Sequence, residues 1–167
     1  MSKGGIVTDT ISCLPPELVK EYDIRALPLS LSINGKAYRD QEEITPDEFW
    51  KMFAEMKEFS TGAPAMGDFA SAFADLAKSC DGIFCTFVSD GLSAVQEAAV
   101  QAREIFRAEN PDINIEIVDS RNAAGAEGFI VLEAARAAQA GKSLAEVVQV
   151  AEEMVPRTKF LCGMETL

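Results

Sequence analysis

Four short stretches of the 167-residue chain combine residues that could hold or transfer an anion: Asp9-Thr10, the run Ser60–Gly67 containing Thr61, the turn Ser89-Asp90-Gly91-Leu92-Ser93, and Asp119-Ser120. Each carries a small hydroxyl side chain, and those in the second and third stretches, Thr61 and Ser93, lead toward helices. A helix start offers unpaired backbone N–H groups and a partial positive charge. With hydroxyl donors added, it makes a seat for a carboxylate or phosphate. A Ser or Thr before a helix is more commonly just a cap. That reading is natural for Ser93 and less so for Thr61, which stands seven residues before the helix expected from Asp68. Asp9, Asp90 and Asp119 could instead act as a base or as metal ligands in an enzyme that handles phosphate or carboxylate. The chain contains no histidine, so Ser-His-Asp and Cys-His nucleophile systems are excluded, and most catalytic zinc sites with them. No phosphate-binding glycine loop, dinucleotide fingerprint or nucleophile elbow occurs, and no cofactor is implied.

The elements that must position these residues are readable in outline. Ile6-Val7-Thr8 is a β-branched run, and Leu14-Pro15-Pro16 starts a helix. Ile24 to Ile33 is extended, and Asn34-Gly35 turns it into a hairpin. Thr45-Pro46-Asp47-Glu48 is a capping box that opens a helix, whose Phe49, Met52, Phe53 and Met56 are expected in the core or along a lipid tail. Ser60 to Gly67 reads as a loop, and Asp68 as the cap of a helix carrying Phe69, Ala72, Phe73 and Leu76. Ile83 to Val88 is a buried strand. A helix follows with Val95, Ala98, Ala99, Ala102, Ile105 and Phe106 on one stripe. Ile113 to Val118 is a strand with one partly polar face. An alanine-rich helix then runs to about Gln139, a second capping box stands at Ser143–Glu146, and Arg157 to Cys162 begins another strand. Strands alternating with helices predict an α/β fold with a mostly parallel sheet and helices on both faces.

Composition sets further bounds. Hydrophobic residues make up 48% and charged residues 25%, which suits one domain with a real core. A net charge of −12 argues against a nucleic-acid partner, because phosphate contacts need lysine and arginine in excess. No transmembrane segment and no secretory signal is read in the sequence. The four cysteines, Cys13, Cys80, Cys85 and Cys162, fit neither a metal motif nor a disulfide framework. They are expected to be reduced and mostly buried, in a cytoplasmic protein.

At this point the residues resemble a bacterial family, DegV. The resemblance rests on Ile6-Val7-Thr8-Asp9-Thr10 with Leu14-Pro15, on Leu27-Pro28-Leu29, and on Ile33-Asn34-Gly35-Lys36-Ala37-Tyr38-Arg39-Asp40. Ser60 to Phe69 is similar to that family's Thr-Ser-Gln-Pro loop, with Thr61, Pro64, Gly67 and Phe69 in register. Ser89 to Ala99 is similar to its Ser-Ser-Gly-Leu-Ser-Gly-Thr segment. Val118-Asp119-Ser120, Leu132 to Arg136 and Gly141 to Leu144 extend the likeness along nearly the whole chain. The resemblance implies a two-domain α/β protein of which residues 1–167 form the N-terminal domain. The family's second domain is expected to be missing beyond Thr166-Leu167.

The resemblance also implies function: one long-chain fatty acid held in an apolar pocket and presented to a fatty-acid kinase, with no catalysis by the carrier itself. By position the carboxylate would be held at Thr61-Gly62 and Ser93-Ala94, with help from basic groups in the family's second part. Gly62 and Ala63 stand where the family has Ser and Gln, Asp90 where it has Ser, and Ala94-Val95 where it has Gly-Thr. Donors are lost and an acid is added, which predicts weaker headgroup recognition or a changed ligand. Each lost hydrogen bond to a charged group costs about 1.5–3 kcal/mol. A buried tail contributes about 0.8 kcal/mol per methylene, so the tail outweighs two or three such losses. The alternatives are the aspartate-based enzyme described above and an interaction domain whose ligand site has decayed.

Overall fold

The computed structural model describes residues 4–163. Glu165 to Leu167, where the sequence was expected to pass into a second part, lie outside the described residues. Strands β1 (Gly4–Asp9), β2 (Ile24–Leu27), β6 (Gly82–Phe87) and β7 (Asn114–Asp119) form a parallel sheet in the order β2-β1-β6-β7. Helices α3 (Met66–Ala77) and α4 (Val95–Glu109) cover one face. Helices α5 (Ala124–Gln139) and α6 (Leu144–Met154), with the short α1 (Pro16–Glu21), cover the other. This is the α/β arrangement expected from the alternating pattern.

Strand β6 is buried along its whole length, on both faces, and is apolar apart from Thr86. Ile83, Cys85 and Phe87 pack with Phe69, Phe73 and Ala99 on one side, while Phe84 packs with Ile130, Ala134 and Val147 on the other. The second capping box forms as expected, with Ser143 accepting from the Glu146 N–H.

A second, smaller layer stands apart. Strands β3 (Ser30–Ile33), β4 (Lys36–Arg39) and β5 (Phe59–Gly62) form an antiparallel sheet in the order β4-β3-β5, carrying helix α2 (Pro46–Phe53). Asn34 and Gly35 both have positive φ, 50° and 79°, as the tight hairpin turn requires. The Asn34 side chain also accepts from the Lys57 and Glu58 N–H groups at 2.9 and 3.2 Å, which locks the entry to β5.

Several sequence expectations change here. The extended run from Ile24 to Ile33 is broken at Pro28-Leu29, so β2 joins the large sheet and β3 the small one, because proline has no N–H to continue the ladder. Of Ser60–Gly67, read as loop, the first three residues belong to strand β5 (Phe59–Gly62), because β3 supplies the partner edge. Helix α3 begins at Met66 with Ala65 as N-cap, and Asp68 sits at the third position, accepting from the Ala65 N–H at 3.1 Å. The α2 stripe is not core: Phe49, Met52 and Met56 pack partly against Leu31, Ile33 and Ile44, and Phe53 is 54% exposed. Ile105, placed on the inner stripe of α4, faces outward. Residues 158–162 form no strand; a 3-10 turn, Val155–Arg157, precedes an irregular segment. Of the cysteines, Cys80 and Cys85 are buried, but Cys13 and Cys162 are exposed; all four are free.

Candidate functional site

The chain leaves β1 toward the α5 face and leaves the neighbouring β6 toward α4 on the opposite face. Where adjacent parallel strands send their exits to opposite faces, a crevice opens at their carboxyl ends. The small layer closes over that crevice and leaves an apolar cleft of about 590 Å³. Ile11, Val88 and Leu92 contribute from the large sheet's exits, Leu31 from β3 and Leu29 from just before it, and Phe49, Trp50 and Phe59 from the aromatic side. Phe49 stands at the centre of that wall, 5.3 Å from Phe59 and 5.4 Å from Trp50 between ring centres.

The floor is built from polar groups that are already occupied. Asp9 is buried; its carboxylate accepts from the Ile11 N–H at 2.7 Å and the Val88 N–H at 3.0 Å, and so ties the exits of β1 and β6 together. Burial raises its pKa to about 6, against the lowering effect of the Val88 and Ile11 N–H groups. Thr10 joins the small layer to the floor. Its hydroxyl accepts from the Leu29 N–H at 3.4 Å, and its carbonyl accepts from the Gln41 amide at 3.1 Å. On the far side, Asn122 accepts the Phe160 N–H at 3.1 Å and donates to Thr158 at 3.2 Å, which seats Phe160 at the cleft.

Beneath the floor lies Glu127, which sequence reasoning missed. It is fully buried in the first turn of α5, accepts from the Thr8 hydroxyl at 3.1 Å, and its Oε2 has no partner among the described residues. Burial, and then the nearby Asp9 charge, raise its pKa to about 9. In the sequence an acid at a helix start reads as a complement to the helix dipole. The available clue is Gly128, where a Cβ would lie 2.4 Å from the Ser12 carbonyl oxygen. That close approach presses α5 onto the β1 exit and buries Glu127 with it.

Thr61 and Ser93 both line this cleft, one from β5 and one from the β6 exit. Ser93 is not the cap of α4, since Ala94 holds that position. Neither hydroxyl makes a hydrogen bond with another described residue, so both are available to a guest. Gly62 pairs with Ser30 in the small sheet and Ala94 lines a shallow neighbouring depression; neither is part of the cleft lining. Asp90 lies in the same outer depression as Ala94, away from the cleft lining. Asp119 accepts from the Arg121 and Asp90 N–H groups at 2.9 and 3.4 Å. Asp9 is thus engaged by Ile11 and Val88, and Asp119 by Arg121 and the Asp90 backbone; among the described residues no cluster of acidic side chains forms that could hold a metal ion. Asp40 is the carboxylate that does line the cleft.

The fold and the cleft define a parallel α/β domain with an open cleft at its strand ends. The model of the DegV family, described as uncharacterised proteins of that family, matches residues 3–167. The chain belongs to the DegV family. A DegV domain-containing protein of Caldanaerobacter subterraneus is 36% identical over the whole chain, and one of Streptococcus pneumoniae is 35% identical. In both cases the chain spans 58% of the relative's length. Among solved structures, a DegV family protein from Thermus thermophilus, described by its fatty-acid binding, is 30% identical with a TM-score of 0.80. The match covers 92% of this chain and 54% of that one. A Thermotoga maritima protein described as having a fatty-acid-binding function is 25% identical with a TM-score of 0.77, covering 92% of this chain and 55% of that one. Among the described residues no helix is long and apolar enough to cross a membrane.

Proposed function

We propose that this protein is a carrier that binds one long-chain fatty acid, with its carboxylate at Thr61 and Ser93 and its tail along the aromatic wall. One observation carries the reading: two unengaged hydroxyls line a largely apolar cleft, with Asp40 and Gln41 among its polar lining, at the carboxyl ends of the parallel strands. The cleft volume of about 590 Å³ lies within the roughly 300–1,000 Å³ of ligand pockets. The fatty-acid binding described for the Thermus thermophilus relative supports the choice of guest.

Presentation of the carboxylate to a fatty-acid kinase, without catalysis by the carrier, is the role we propose for the bound state. The headgroup site at the strand ends suits it, because the carboxylate would sit at the mouth while the tail stays covered. The aspartates of the enzyme alternative are spent on backbone N–H groups or stand outside the cleft, which favours the carrier. Free thiols suit a reducing compartment, and the cytoplasm is the compartment we propose.

The test is native mass spectrometry of freshly purified protein, followed by lipid extraction. We expect a fatty acid to co-purify and to be lost from a Thr61→Ala/Ser93→Ala double variant that still folds. Protein that is empty and takes up no palmitate would overturn the carrier reading. Retention of lipid by the double variant would move the headgroup elsewhere.

A further inference from the structure

We propose that Arg39 is a positioning residue for the fatty-acid site: it fixes the segment that carries Thr61, without touching the ligand. The inference rests on the carrier reading above. Thr61 lies on β5 opposite Leu31, and one residue further along the same ladder Gly62 and Arg39 both pair with Ser30, from opposite sides of β3. From Gly62 the chain runs through Ala63, Pro64 and Ala65 into α3. Proline contributes no N–H, so this connection has few means of holding itself.

Arg39 supplies what the connection lacks. Its guanidinium donates to both Asp68 carboxylate oxygens, at 3.1 and 2.8 Å, and its Nε donates to Glu42. Asp68 accepts the Ala65 N–H with the same oxygen that receives Arg39 Nη1. Residues 62–68 thus form a closed ring: β5 is held by β3, β3 by β4, Arg39 at the end of β4 grips Asp68, and Asp68 grips Ala65. A paired Arg–carboxylate fork fixes direction as well as distance, which a single lysine donor does not. Arg39 is absent from the cleft lining, so its effect on a guest is indirect, and the ring it closes leads to Thr61. The small layer has its own cluster of buried residues, separate from those of the large sheet. The Arg39–Asp68 fork is therefore one of few ties that set the distance between Thr61 and Ser93.

The test uses Arg39→Met, which keeps an unbranched stem and removes the donors, in the purified protein. Two readouts are taken. The first, without ligand, is hydrogen exchange of residues 59–65 against that of β1 and β6. Faster exchange in the first segment alone is expected, and unchanged exchange there overturns the proposal whatever the protein binds. The second is a double-mutant cycle on palmitate affinity. We expect Thr61→Val to weaken binding about tenfold in the natural background but less than about threefold beside Arg39→Met, while Ser93→Ala costs the same in both. Additive losses would reduce Arg39 to a structural role. If no variant and no natural protein binds palmitate while exchange still responds, the carrier reading fails and this inference falls with it, and Arg39 then orders the loop for no fatty acid.

Discussion

The large sheet and the small layer are held by different forces. The large sheet is buried on both faces, and Phe69, Phe73, Phe84 and Phe87 within its cores are fully enclosed. The small layer has three buried side chains in its cluster, Leu31, Ile33 and Ile44, while Trp50 and Phe59 at the cleft, and Phe53 beside Trp50, are about half to two-thirds exposed. Its order comes from hydrogen bonds: the Asn34 clamp, the Thr45–Glu48 capping box, the two contacts to Thr10 and the Arg39–Asp68 fork. A rigid half that supplies the floor faces a lightly anchored half that supplies the apolar wall. Half-exposed aromatics are costly for a folded core but are what an apolar guest needs.

The contrast can be broken most sharply by large-to-small substitution. Phe84→Ala should destabilise the fold by about 3–5 kcal/mol, because the enclosed site cannot collapse around the void. Phe53→Ala, on the small layer, should change stability by less than about 0.5 kcal/mol. Denaturant midpoints measure both, and similar losses at the two sites would remove the distinction.

The second effect is a pH dependence with opposite signs in the two regions. Glu127 in the large body is raised by burial to about 9 and Asp9 to about 6, against about 4 in an unfolded chain. The folded body therefore holds protons that the unfolded chain has released, and stability falls as pH rises through that window. Above pH 6 the fall belongs to Glu127 and amounts to at most about 1.4 kcal/mol per pH unit. Glu127→Gln should flatten the profile between pH 6 and 8 and raise stability at pH 8. On the small layer, the Thr45 N–H and hydroxyl hold Glu48 below its ordinary pKa. Its contribution has the reverse sign, present at neutral pH and lost on acidification. A profile that rises from pH 6 to 8 in the natural protein would contradict the buried, protonated Glu127.

The smallest effect sharpens the division of labour. Trp50→Ala should leave the unfolding midpoint nearly unchanged, since the side chain is 64% exposed. It should weaken palmitate binding by about 1 kcal/mol, several-fold in Kd, if the indole covers the tail. A large stability loss with unchanged affinity would make Trp50 a packing residue instead of part of the cleft wall.

Much of this was legible before any coordinates. Hydrophobic periods located α3, α4 and α6, an alanine-rich run located α5, and the capping boxes at Thr45 and Ser143 located helix starts, because those signals depend on residues close by in the chain. Asn34-Gly35 marked its hairpin for the same reason. Thr61 and Ser93 were singled out from residue type, spacing and family resemblance, and both line the cleft.

Local sequence, then, determined the helices, the hairpin, the apolar strands and the short list of hydroxyls. Tertiary structure alone decided the rest. The strand identity of Phe59–Gly62 needs the edge of β3, thirty residues away in the Leu31–Thr61 pairing. The protonated state of Glu127 needs Gly128 pressed against the Ser12 carbonyl and Asp9 close by. The freedom of Ser93 needs Ala94 to take the cap, and the grip of Arg39 on Asp68 needs two layers to meet. Hydrogen-bond partners and burial depend on groups distant in the chain, and no period or spacing along the sequence encodes which of them will arrive.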